Sequence, residues 1–147
     1  MDTKIEENEY KADFTISENY IKFSSELLRL SLLAIVAYGT LFIKEFVEDS
    51  NSTFTKNNKT LLLSIIFFFL SSSASLFHRY FATDTLTWFI QWRRFIANNE
   101  LKKAEKERIG LNKMLKKAKY SLILCEVTFA LGVLLFLIAI IKLYLTN

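Results

Sequence analysis

Proline is absent from the 147 residues, and glycine occurs only at positions 39, 110 and 132. Tight turns draw heavily on both residues, so a many-stranded fold is excluded and long, uninterrupted helices are expected. Cysteine and histidine occur once each, as Cys125 and His78. A lone cysteine excludes an intrachain disulfide framework and a multi-cysteine zinc site. A lone histidine excludes a multi-histidine site built by one chain. The patterns G-x-x-x-x-G-K, G-x-G-x-x-G and H-E-x-x-H are all missing. His78, Asp84 and a serine have no helical spacing that would assemble them as a catalytic triad. We therefore expect no catalytic residue, no metal and no cofactor. Residues 1–26 are polar and acidic, with three Lys against seven Asp and Glu, so no signal-peptide pattern opens the chain.

What the chain does have is apolar material in blocks. Hydrophobic residues make up 52% of it, and 14 of them are Phe. The reading is an all-α integral membrane protein with three transmembrane helices, at about 27–47, 60–78 and 120–141. The second is the clearest, since no charge falls between Thr60 and Phe77. The first has only 14 uncharged residues between Arg29 and Lys44, short of the roughly 20 that a spanning helix needs, so its end charges must snorkel. The third carries one charge, Glu126. Residues 1–26 form an acidic N-terminal tail that enters a helix near "SENYIKFSSELL", with Ser17 or Ser24 as its cap. Residues 27–147 form the membrane domain, and 48–60 a polar linker.

Segment 79–119 carries eleven Lys and Arg against four acids. Positive charge near the spans faces the cytoplasm, so this segment and the N-terminus lie inside, while 48–60 and the C-terminus lie outside. Within it, Trp88, Trp92, Arg93 and Arg94 have the character of interfacial anchors, with tryptophan at headgroup depth and arginine on lipid phosphate. A soluble helix packed on its own partner accounts for the same pattern. Further on, Leu101, Ala104, Leu111, Leu115 and Ala118 make a weak coiled-coil or docking stripe, interrupted by Arg108 and Gly110, which suits antiparallel pairing within the chain as well as self-association. The segment suits anionic lipid or a protein partner better than nucleic acid.

Hydroxyls interrupt the greasiest stretch, "LLLSIIFFFLSSSASLFHRYF". On a helix Ser64, Ser71, Ser75 and His78 share one face. Such a face either lets helices approach closely and bond to one another or lines a wet path once several subunits gather. Gly39 and Gly132 offer further points of close approach. A carboxylate as deep as Glu126 is costly unless paired, protonated or wet. Arg29 enters from the same side, so the two are expected to form an intramembrane polar pair, with an ion-path or sensor role as the alternative.

In layout, a hydrophobic hairpin, a basic cytoplasmic segment and a further hydrophobic helix, the chain resembles small bacterial membrane effectors of the SLATT type. The resemblance implies an assembly in the bacterial inner membrane that disrupts it when triggered, in antiviral defence, and it carries no residue assignments. The expectation is a homo-oligomeric pore or membrane-perturbing protein active in ion transport. The alternative is a non-conducting scaffold or accessory subunit that recruits a partner through 79–119.

Overall fold

The computed structural model describes the backbone of residues 7–48 and 59–146, and the side chains of 10–40 and 59–142. The described chain is entirely helical: α1 (Glu7–Glu48), α2 (Lys59–Ala97) and α3 (Leu101–Thr146). With no proline to remove a backbone donor, each helix runs far beyond the usual length. At 1.5 Å per residue, the 42, 39 and 46 residues extend roughly 60–70 Å, about twice the hydrocarbon thickness of a bilayer. The acidic tail does not wait for a serine cap: α1 already begins at Glu7. Ser17 and Ser24 lie inside it, and Ser24 Oγ donates back to the Ile21 carbonyl, which is how serine is accommodated mid-helix.

Segment 79–119 is divided between two helices. Its first part continues α2 and its last part opens α3, and the two halves pack antiparallel on each other. Between them, Asn99 takes a left-handed φ of 58°. The Glu100 N–H donates to the Phe95 carbonyl at 2.9 Å, and the Asn99 N–H to the Ile96 carbonyl at 3.0 Å. These are the paired bonds of a Schellman motif, and asparagine is the residue that tolerates the left-handed position when glycine is not used. The Glu100 carbonyl then accepts from the Ala104 N–H, so α3 starts at once.

α2 is the central element. It packs extensively on α3, less on α1, and α1 hardly touches α3. Tyr38, Leu61, Phe68 and Ala139 form one buried cluster, and Leu27, Ala74 and Cys125 a second. Phe68 sits so close to Gly132 that an added Cβ there would lie 3.1 Å from its ring. Gly39, by contrast, faces open space.

Among the described residues, α2 and α3 carry stretches long and apolar enough to cross a membrane. Only 33% and 17% of those stretches is buried within the protein, whereas the core helix of a soluble bundle is mostly covered. The expected first span, 27–47, lies on α1 and runs past Thr40, beyond the described side chains.

Candidate functional site

The hydroxyl face of α2 points into the bundle. Ser64, Ser71 and Ser75 are fully buried, and His78 is 3% exposed. Each serine joins helices. Ser64 donates to the Gly132 carbonyl of α3 at 2.8 Å, and its oxygen lies 3.1 Å from the Tyr38 hydroxyl of α1. Ser71 donates to the Cys125 carbonyl at 3.1 Å and accepts from Ser31 Oγ at 3.2 Å, the Ser31 hydroxyl also lying 2.8 Å from the Leu27 carbonyl. Ser75 bonds to Cys125 Sγ, and Cys125 has no exposed surface. These three hydroxyls thus form a closed seam within one chain, hydrogen-bonded across α1, α2 and α3.

The seam also sets the register. Ser31, Ser71 and Cys125 share one level, and Tyr38, Ser64 and Gly132 another. α2 therefore runs antiparallel to its neighbours, and α1 runs parallel to α3. Counted from these levels, 24–42, 60–78 and 118–136 occupy one common band. The uncharged stretch from Thr60 to Phe77 covers 18 residues of it, or about 27 Å. The apolar ends of all three helices lie together, and the polar ends, 10–23, 79–97 and 101–117, extend together beyond the band.

At the polar end, aromatic side chains join the helices around a cavity. Trp88 donates its indole N–H to Asp84 at 3.2 Å and covers Gly110, where any Cβ would overlap the ring. The Arg93 guanidinium lies 4.4 Å from the centre of the Tyr10 ring, and Trp92 sits against Phe89. Arg94 is exposed. Trp88 begins about 15 Å past His78 along α2 and is engaged in packing between helices. The lysines are outside: Lys102, Lys103, Lys106, Lys113, Lys116, Lys117 and Lys119 are all exposed. A cavity of about 750 Å³ opens between the three helices here, with Phe14, Tyr20, His78, Leu115 and Leu122 in its wall. His78 Nδ1 has no hydrogen-bond partner.

Arg29 and Glu126 do not meet in the structure. Arg29 is exposed and pairs weakly with Glu26, at 4.0 Å. Glu126 is exposed on α3, with no hydrogen bond or ion pair to any described residue. The cause is the architecture, since α1 and α3 pack on α2 and hardly on each other. The same observation shows what spacing alone misses: a helical face identifies neighbours on one helix, not which helix lies opposite. Ser31, Thr128 and Tyr38 belong to the seam region too, and the seven-residue step from Ser24 to Ser31 to Tyr38 is the signal that could have found its α1 side.

Comparison with family models, with curated proteins and with solved structures finds no match.

Proposed function

We propose that this chain is a membrane-anchored, non-conducting scaffold that holds a basic helical hairpin on the cytoplasmic side of a bilayer to recruit a protein partner. The observation that carries the reading is the lengthwise division of the bundle: one band of exposed apolar side chains, and one protruding end of exposed lysines. Exposed Leu33, Val36, Phe69, Leu70, Leu124 and Leu134 favour lipid around the band, because water would leave that surface uncovered. Orientation follows the Lys and Arg excess, with the N-terminus cytoplasmic and the C-terminus outside, in a bacterial inner membrane.

Depth supports a protein partner over lipid for the far charges. Arg79, Lys117 and Lys119 lie near the band edge, where anionic headgroups are within reach. Lys102 is 16 residues from the edge at 118, about 24 Å along the axis. Subtracting a headgroup layer of roughly 6 Å leaves about two Debye lengths of salt solution. Lipid attraction does not act over that distance, whereas an acidic protein surface in contact does. The pore reading, with its defence-effector role, loses support because three of the side chains its wall requires, Ser64, Ser71 and Ser75, are occupied by bonds within the protomer.

Reconstitution into liposomes tests this. The protein should resist alkaline carbonate extraction and release neither ions nor small dyes, at either voltage sign and with or without anionic lipid. In cells, photocrosslinkers placed on 101–113 should capture one discrete partner, lost on reversing Lys102, Lys103 and Lys106 to Glu. Sustained leakage from a well-folded preparation would overturn the reading.

A further inference from the structure

The charges that penetrate furthest into the apolar band are Arg29 and Glu126. Counted from the band edge at 24 and 118, Arg29 is about 7.5 Å deep and Glu126 about 12 Å deep. Arginine has the length to snorkel back towards the headgroups, and its neighbour Glu26 lies on that side. Glutamate at 126 is too short to do so, and no described residue pairs with it. A lone lipid-facing carboxylate at that depth costs several kcal/mol, so its face calls for a cover that supplies positive charge.

The chain itself presents that cover. Arg29 lies in a shallow apolar groove of α1 with Ser25, Leu28, Leu32, Leu33 and Val36, about 320 Å³ in volume. On α3, Glu126 shares a face with exposed Ile123, Ala130, Leu134 and Leu137. The two faces are complementary, one apolar with a cation and one apolar with an anion, and they belong to two helices that hardly touch within the protomer. Their depths also agree. Ser31 is level with Cys125, so Arg29 is level with residue 123, three residues below Glu126, or about 4.5 Å. Rotation about an axis normal to the membrane leaves every residue at its own depth, so groups that meet between subunits must already be level within one subunit. Arg29 and Glu126 meet that condition to within the reach of an arginine side chain.

We infer that the Glu126 face of α3 docks against the Arg29 groove of a second copy of this chain, head to tail, pairing the two charges between protomers. A heterologous contact of this kind repeats around the membrane normal and closes into a ring when the rotation allows. The inference rests on the membrane-embedded part of the proposed function, and it does not require conduction. The serine seam is not the interface between copies, since it is closed inside each of them.

Cysteine crosslinking in native membranes decides the matter. Val36 and Ala130 are level, exposed and on the two faces in question, and native Cys125 is buried. Val36→Cys combined with Ala130→Cys should give a ladder of disulfide-linked dimers, trimers and higher species on oxidation. Either substitution alone should give none, because a head-to-tail contact never brings a face to its own copy. Arg29→Glu and Glu126→Arg should each reduce the ladder several-fold, and the double exchange should restore it. Carbonate extraction of the same membranes separates the two claims. No ladder from protein that stays embedded overturns this inference alone; protein washed from the membrane overturns the embedded reading and the inference together. Dimers from a single-cysteine variant would show an isologous contact and also overturn it.

Discussion

At the scale of the residue, two positions have structural roles that side-chain chemistry defines sharply. Gly110 lies beneath the Trp88 indole, which leaves no room for a methyl group. Gly110→Ala should therefore cost about 1–3 kcal/mol of stability, the range of an overpacked contact, read as a fall in the thermal unfolding midpoint. Trp88→Leu in the same chain should recover part of the loss. Asn99 holds the left-handed turn between α2 and α3. Asn99→Gly should be tolerated, while Asn99→Val, which strains that backbone, should cost about 1–3 kcal/mol. Neither role depends on a bilayer, so both measurements are informative in detergent. Glu126 is different: its predicted role exists only between copies, and replacing it should leave the isolated protomer unchanged.

At the scale of the element, the lysine-rich start of α3 yields a separate prediction. Lys102, Lys103 and Lys106 are exposed and lie well outside the apolar band. Changing all three to glutamate should leave helix content, measured by circular dichroism, and membrane insertion unaltered, while partner capture is lost. Reduced insertion would instead tie these charges to the membrane. The helices themselves were legible in the sequence because nothing interrupts them: proline is absent, and the apolar blocks of α2 and α3 are long. The joint at 98–100 was not, because asparagine replaces the usual glycine and the signal shrinks to an Asn-Asn pair between helical stretches. Segment 79–119 looked like surface amphipathic helix for a related reason. Trp88, Trp92 and Arg93 have the composition of a membrane interface, and the same residue types also suit aromatic packing between helices. Composition cannot separate the two; the structure shows the helix-to-helix contacts of Trp88 and Arg93. The inward face of α2 was legible from the steps between serines, but its partners Ser31, Tyr38 and Cys125 depend on a register between helices that no periodicity within one helix encodes.

At the scale of the whole molecule, the question is what a hydroxyl seam does in a bundle this thin. A conducting path needs polar groups whose bonds are completed by water or ions. Here Ser64, Ser71 and Ser75 complete theirs on Gly132, Cys125, Ser31 and Tyr38, which ties the three helices beside the aromatic contacts of Tyr38, Phe68, Phe129 and Phe136. Hydrogen bonds between membrane helices average about 0.6 kcal/mol each, so the seam contributes specificity of register as much as stability. Ser71→Ala should then be mild, with a loss of about 1 kcal/mol or less, because its cavity is small and few bonds are lost. Ser71→Leu forces a branched side chain into a closed layer and should cost about 1–3 kcal/mol, visible as reduced thermal stability and faster exchange of the nearby amides. Ion flux through liposomes should be at background for the wild type and for both variants. A pore lined by Ser71 behaves in the opposite way: the wild type leaks, Ser71→Ala alters the flux, and Ser71→Leu blocks it while the fold stays as stable as before. Stability and flux measured on the same three proteins thus discriminate a seam from a wall, since each substitution moves one quantity and leaves the other where it was.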